Sequence, residues 1–159
     1  MQLLNRIKMK KEIPLQILPA TEEDFSELHS LAAICFGSEW TWLNTIGMLT
    51  LPGILRFKAV DPLTGKIIGF VASEPPNAEA VAWILSVGVS PDYRRMGIAQ
   101  RLLAVCELAS NAMRLRLCVR RSNESAQRLY QHVGYQRVGI WANYYLNEDA
   151  LVYEKKSVS

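Results

Sequence analysis

The first residues of this sequence that could do chemistry lie in a turn between two predicted elements. The stretch VSPDYRRMGIAQRLL, residues 89–103, joins an apolar strand pattern to an amphipathic helix pattern. The first amides of a helix are unpaired and carry about half a positive charge, so they attract anions. Gly97 has no Cβ to keep a ligand from the backbone, and Arg94 and Arg95 could add charge-assisted contacts. The turn suits a pyrophosphate, although R-x-x-G-x-A taken alone is equally compatible with a solvated turn.

The spacing of apolar residues predicts the elements that position this turn. Alternation predicts an edge strand over residues 13–18, and helical spacing after Thr21 predicts a helix. Residues 36–53 show no single period, which predicts a short helix and loops. Two further segments, 54–60 and 66–72, flank a turn that contains Pro and Gly, and together they predict a hairpin.

The second half of the chain continues with strands and helices in alternation. A nearly all-apolar strand is predicted over residues 81–89, in the middle of the sheet, with Gly88 marking a bulge or a close approach by another backbone. Helical spacing predicts a helix over 97–111. The remaining predicted elements are a strand over 113–119, a helix capped by Ser122 or Asn123 and ended by Gly134, and strands over 135–140 and 149–154. This order indicates an α/β or α+β domain with a mixed sheet.

Length and composition bound the number of domains and the kind of partner. The 159 residues suffice for one core, with residues 1–12 expected as a flexible extension and residues 13–159 as a single domain. The net charge of +3 is too small to favour nucleic acid as a partner. Three cysteines without C-x-x-C spacing predict free thiols in a reducing compartment. No signal-peptide core or long apolar run is found, which predicts a cytoplasmic protein without a membrane partner.

Two segments of the sequence resemble a known family. LSVGVSPDYRRMGIAQRLL, residues 85–103, resembles motif A of the GNAT acetyltransferases, and LCVRRSNESAQRLYQHVGYQRVG, residues 117–139, resembles their motif B in the form found in the RimI branch of N-terminal acetyltransferases. TEEDF at 21–25, NYY at 143–145 and EDA at 148–150 are also similar to that branch. The resemblance implies the GNAT fold, a central mixed and mostly antiparallel sheet flanked by helices. It also implies transfer of the acetyl group of acetyl-CoA to a primary amine.

The resemblance further implies roles for individual residues. It assigns the binding of acetyl-CoA to a strand end, a turn and a helix cap, namely Val87, Gly88, Val89, Arg94, Arg95, Met96, Gly97, Ile98, Ala99, Gln100 and Asn123. It assigns the binding of the acceptor to four aromatic residues, namely Phe36, Trp40, Tyr144 and Tyr145. Tyr130 is implied as the proton donor, and a phenol with a pKa of about 10 is suited to protonate a thiolate. Without the resemblance, Tyr130 would be interpreted as a core aromatic residue.

The sequence departs from the pattern of the branch at the position of the general base. A glutamate often precedes the V-R pair in that branch, whereas this chain has Cys118, a mostly protonated thiol that we interpret as a packed strand residue. Glu39, Glu74, Glu79 or a chain of waters could supply the base instead. An α-amine of pKa about 7.8 is roughly a quarter neutral at pH 7.4, but a lysine of pKa about 10.4 is only on the order of 0.1 % neutral. A site without a strong base therefore favours a protein N-terminal α-amine.

Two other functions remain open at this point. The acceptor could be a small molecule, such as a polyamine, an aminoglycoside or an amino acid, for which an acidic pocket would be the sign. Cys118 at the base position also allows a non-catalytic module that binds acyl-CoA. The expected partners are acetyl-CoA and either a protein or peptide N-terminus or a small amine, without a metal ion, and a homodimer is left open. His29 and His132 lie in predicted helices and are expected to be surface or satisfied residues.

Overall fold

The computed structural model describes residues 14–157. Within them, a seven-stranded sheet is flanked by four α-helices. The elements are β1 (Gln16–Pro19), α1 (Phe25–Phe36), α2 (Trp42–Thr50), β2 (Leu55–Val60), β3 (Ile67–Ser73), β4 (Val81–Val89), α3 (Ile98–Ser110), β5 (Arg114–Arg120), α4 (Glu124–His132), β6 (Gln136–Tyr145) and β7 (Glu148–Lys156). The predicted extension at residues 1–12 lies outside the described residues. The predicted class, a mixed and mostly antiparallel sheet between helices, is confirmed.

The sheet opens between its two central strands. The strand order is β1-β2-β3-β4-β5-β7-β6, and every pairing is antiparallel except that of β4 with β5. These two strands pair only over Val81–Trp83 and Arg114–Arg116. Beyond Trp83, β4 keeps its partner β3 on one side but faces no strand on the other. Because the carboxyl ends of neighbouring parallel strands lie at the same edge, the opening there lies between the segments that follow β4 and β5.

Two apolar cores cover the two faces of the sheet. Strand β3 shows the alternation, because Val71 packs with α3 and α4 whereas Phe70 and Ala72 pack with α1 and α2. Leu102 of α3 lies at the centre of the first core and Leu28 of α1 at the centre of the second, each fully buried. The helices therefore hold β3 and β4 from both sides while leaving the opening beside β4 clear of strands.

Most predicted elements are confirmed, and two expectations need correction. Strand β6 runs to Tyr145 and not to residue 140, because it is a largely exposed edge strand with register shifts that hide the alternation of apolar residues. At Gly88 the close approach comes from side chains, since a Cβ there would lie 2.8 Å from the Phe70 ring and 3.2 Å from Cys35 Sγ. The bulge in β4 lies instead at Leu85, which has no partner between the Ser73–Ile84 and Ala72–Ser86 pairs.

Candidate active site

The N-terminus of α3 is an open cradle of backbone amides. Gly97 precedes the helix in the left-handed conformation, with φ of +77°, and nothing lies within 4 Å of the place where a Cβ would be. The first helical hydrogen bond joins Arg101 N to Gly97 O at 3.1 Å, and no side chain caps the helix among the described residues. The amides of Ile98, Ala99 and Gln100 therefore have no acceptor within the helix. The structure thus has an open helix N-terminus at the turn that the sequence analysis interprets as an anion site.

Three residues of the preceding turn differ in what they do. Arg94 Nε donates a hydrogen bond to the carbonyl oxygen of Val89 at 3.2 Å, so this side chain holds the turn against the end of β4. Arg95 adopts a left-handed φ of +63°, unusual for a residue with a Cβ. Met96 is 47% exposed. The side chains of this turn are therefore exposed next to the open N-terminus of α3.

The open side of β4 presents the backbone of Val87 to Val89. The side chains of Val87 and Val89 pack against the core beneath α3, and Gly88 lies against Phe70 on the other face. Among the described residues, no strand pairs with this stretch on the side away from β3. The carbonyl oxygen of Val89 already accepts from Arg94 Nε and Cys35 Sγ. The backbone N–H groups on this side are therefore the donors that can bind and polarise a carbonyl oxygen in the opening.

Tyr130 lies on α4 with its side chain in the core. The residue is 8% exposed, and its ring stands 6.0 Å from the Tyr135 ring. Burial, with a smaller Coulombic contribution from Tyr145, raises the pKa of Tyr130 to about 12.

Arg120 joins the α1–α2 connection to the β6–β7 hairpin. Its guanidinium forms ion pairs with Glu39, which ends a 3₁₀ turn after α1, and with Glu148 at the start of β7. The guanidinium carbon also lies 4.2 Å from the centre of the Tyr145 ring. The ion pair of Arg120 with Glu39 could not be predicted from the sequence, because local spacing of residues does not indicate a contact between positions 81 residues apart.

The acceptor aromatic residues that the resemblance implies form two groups. Phe36 and Trp40 stack at 5.1 Å beside the buried Phe70. Tyr144 and Tyr145 lie on β6 with ring centres 5.1 Å apart. The ion pair between Glu39 and Arg120 connects the two groups, since Glu39 precedes Trp40 and Arg120 covers Tyr145.

His29 has a structural partner, whereas His132 and Trp42 are exposed. Thr45 Oγ1 accepts a hydrogen bond from Trp40 Nε1 at 2.8 Å and lies 2.9 Å from His29 Nδ1, so His29 is satisfied as expected. His132 is exposed at the end of α4. Trp42, the first residue of α2, is 57% exposed.

The candidates for the general base are separated by the fold. The backbone of Glu74 pairs with Trp83, four residues before Val87, or about 13 Å along a strand. Glu79 belongs to the same turn before β4, so both acids lie at the far end of that strand. Glu39 lies near the opening but is paired with Arg120. Cys118 is half-buried on β5, and burial raises the pKa of its thiol.

Asn123 and the arginines of β5 have structural partners. Asn123 Oδ1 accepts a hydrogen bond from Ala126 N at 3.1 Å and so caps α4. Each arginine of β5, together with Arg121 just after it, is paired with a carboxylate: Arg114 and Arg116 with Glu154, Arg120 with Glu39 and Glu148, and Arg121 with Asp149. Such neutralised arginines do not form the open basic patch of a nucleic-acid site. Within residues 14–157, no helix has the length and hydropathy to cross a membrane.

Known proteins are similar to this chain in both sequence and fold. Residues 23–135 match the acetyltransferase (GNAT) family. The chain is 32% identical over 130 residues to the ribosomal protein bS18-alanine N-acetyltransferase of Haemophilus ducreyi, covering 78% of this chain and 84% of that protein.

Solved structures agree with the sequence match. The ribosomal-protein-S18-alanine N-acetyltransferase from Escherichia coli superposes with a TM-score of 0.80 at 22% identity, covering 91% of this chain and 95% of that one. Arabidopsis thaliana NAA60 in complex with acetyl-CoA superposes with a TM-score of 0.78 at 20% identity, covering 89% of this chain and 98% of that one. Most of this chain matches the family, and its fold is that of the solved structures above. The chain therefore belongs to the GNAT family and is an N-acetyltransferase.

Proposed function

We propose that this enzyme transfers the acetyl group of acetyl-CoA directly to the α-amine at the N-terminus of a protein or peptide, within a ternary complex. The observation that carries the proposal is the opening between β4 and β5. The uncapped N-terminus of α3 follows one of these strands, and the helix that bears Tyr130 follows the other. The Haemophilus relative is named for N-acetylation of an alanine of ribosomal protein bS18, and this supports the same class of acceptor, since an alanine carries no amine in its side chain.

Acetyl-CoA fits the residues on the β4 side of the opening. The amides of Gly97 to Gln100 offer donors to its pyrophosphate, and the empty position beside Gly97 leaves room for phosphate oxygens. Exposed Arg94 and Arg95 add positive charge next to these donors. On the other side, Asn123 uses only its Oδ1 in the helix cap, so its amide N–H groups remain for a cofactor contact.

Each group at the opening then has a chemical task. Acetyl-CoA supplies the acetyl group as a thioester. Backbone N–H groups of the Val87 to Val89 stretch donate to its carbonyl oxygen and polarise it, the acceptor nitrogen bonds to the carbonyl carbon, and the carbon–sulfur bond breaks. Tyr130 donates a hydrogen bond to the departing sulfur. Because its pKa of about 12 lies above that of a thiol, it yields its proton only as it recovers another from the acceptor ammonium.

The charges around the opening favour an α-amine over lysine and over polyamines. Cys118 is a half-buried thiol, and because burial raises its pKa, it is a poor base. Among the described acids that were candidates, Glu39 is paired with Arg120, and Glu74 lies at the far end of β4. An amine that is already partly neutral at pH 7 needs no strong base, whereas lysine does. A polyamine carries several positive charges, whereas Glu39 and Glu148 share Arg120, so the three groups together offer only one net negative charge.

The experiment that tests the proposal measures release of free CoA with matched acceptors. Peptides with varied first residues are compared with the same peptides blocked at the α-amine, and with spermidine, an aminoglycoside and free amino acids. We expect turnover with free peptides, none with blocked ones, and intersecting initial-velocity lines that indicate a ternary complex. Preferred turnover of a small amine would contradict the acceptor class. Tight binding of acetyl-CoA without any product would identify a non-catalytic module.

A further inference from the structure

A carboxylate on β7 controls the shape of the neighbouring strand. Trp141 of β6 pairs with Ala150 and Tyr145 pairs with Glu148, so the three residues between Trp141 and Tyr145 lie opposite Asp149 alone. Asp149 Oδ1 accepts a hydrogen bond from the backbone N–H of Asn143 at 3.0 Å. The Asp149 side chain thus replaces a backbone acceptor of the neighbouring strand. It stabilises a bulge in β6 in which three residues lie opposite one.

The backbone of Asn143 accommodates this bulge. Its φ is +52°, in the left-handed region that asparagine tolerates better than other residues with a Cβ. The charge of Asp149 strengthens the bond, since a hydrogen bond to an ionised acceptor is about twice as strong as a neutral one. The bulge is therefore defined by one residue of suitable type on each strand.

The bulge changes which side chains share a face. In a regular strand, side chains alternate, so Tyr144 would point away from Trp141 and Tyr145. Here the Tyr144 ring lies 5.3 Å from the Trp141 ring and 5.1 Å from the Tyr145 ring. The three aromatic rings form one continuous wall on the side where Arg120 covers Tyr145.

We infer that Asp149 is a positioning residue for acceptor binding: through the Asn143 amide it holds the bulge that gathers Trp141, Tyr144 and Tyr145 into one wall of the acceptor site. This inference rests on the proposed function and on the acceptor-binding role that the family resemblance implies for Tyr144 and Tyr145. Asp149 itself acts through the backbone and not on the substrate. Its second oxygen accepts from Arg121 Nη1 at 3.3 Å, but Arg121 is 63% exposed and does not touch the bulge.

The test compares three variants of the full chain. Asp149→Ala removes the acceptor of the Asn143 bond, Asp149→Asn keeps an oxygen that can accept it, and Arg121→Ala removes only the outer ion pair. We expect Asp149→Ala to raise the KM for the acceptor peptide about tenfold, the equivalent of one hydrogen bond to a charged group. The KM for acetyl-CoA should stay unchanged. Asp149→Asn should restore most of the peptide affinity, and Arg121→Ala should behave as wild type.

Amide hydrogen exchange separates this inference from the function on which it rests. In the wild type, the Asn143 amide should be protected although it faces no backbone acceptor, and Asp149→Ala should abolish the protection whether or not the enzyme turns over. An unprotected Asn143 amide in the wild type would overturn the geometry without any variant. Loss of protection with an unchanged acceptor KM would overturn the positioning role. A wild type that acetylates no peptide, but protects this amide, would refute the proposed function alone.

Discussion

At the scale of single residues, the hydroxyl group of Tyr130 and the thiol of Cys118 show how burial assigns chemistry. Both groups have a raised pKa because they are taken out of water. A phenol is already protonated at neutral pH, so the raised pKa leaves Tyr130 in the form that the proposed mechanism requires. For Cys118, the same cause suppresses the thiolate, so this thiol is a poor base. Burial thus favours the uncharged form of both side chains.

Replacing Tyr130 with phenylalanine tests its role as a donor. The ring stays in the core, so we expect little change in melting temperature, whereas kcat should fall about 100-fold or more because the departing sulfur loses its proton source. Steady-state kinetics and thermal denaturation of the same preparation give both numbers. Cys118→Ala serves as the control at the neighbouring strand and should keep kcat within about threefold. Unchanged turnover in Tyr130→Phe would remove this hydroxyl from the mechanism.

At the scale of elements, local patterns predict where strands and helices lie better than how far an irregular strand extends. The hairpin of β2 and β3 and the helix α3 follow from turn residues and periodic spacing, so they could be predicted from the sequence. Strand β6 was predicted only to residue 140, since the bulge beyond it depends on Asp149 of the next strand and not on its own residues. The contact of Arg120 with Glu39 is likewise set by the fold and leaves no local signal. Turn chemistry and periodicity thus predicted the elements around α3 more completely than strand β6.

The packing around Gly88 predicts a stability effect. A Cβ there would lie 2.8 Å from Phe70 Cε1 and 3.2 Å from Cys35 Sγ, so one of the buried groups must move. We expect Gly88→Ala to lower the free energy of unfolding by about 1–3 kcal/mol through overpacking. Denaturant unfolding measures this change.

Gly139→Ala provides the matched control, because its Cβ would lie 3.9 Å from the nearest atom, Val152 Cβ, also within a strand. That variant should change the free energy of unfolding by no more than about 0.5 kcal/mol. Equal effects of the two substitutions would show that the contact with Phe70 does not limit the site.

At the scale of the whole molecule, the two cores stabilise the sheet, whereas the separation of its central strands forms the candidate site. The cores fix β3 and β4 from both faces, while the partial pairing of β4 with β5 leaves an opening. The sequence predicted a central apolar strand at 81–89, but periodicity does not reveal how far two parallel strands stay paired. The opening is therefore a property of the assembled sheet, and the candidate site depends on it.

The buried tyrosines predict how stability depends on pH. Burial raises the pKa of Tyr130 and of Tyr145 to about 12, against about 10 in an unfolded chain. The protonated forms thus contribute stability that is complete below pH 10 and is lost as the pH rises toward 12, because the unfolded chain ionises first. We expect the melting temperature to fall in that window. Tyr130→Phe combined with Tyr145→Phe should make the fall shallower, and an identical slope would contradict the assignment.

Tandem mass spectrometry of one product tests whether the enzyme transfers acetyl to an α-amine. A peptide with a free N-terminus and one internal lysine is incubated with the enzyme and acetyl-CoA, and fragment ions locate the added acetyl group. We expect an acetyl group on the N-terminal nitrogen and none on the lysine. An acetyl group on the lysine, or an unmodified peptide under conditions where a small amine is acetylated, would show that the enzyme does not prefer the α-amine.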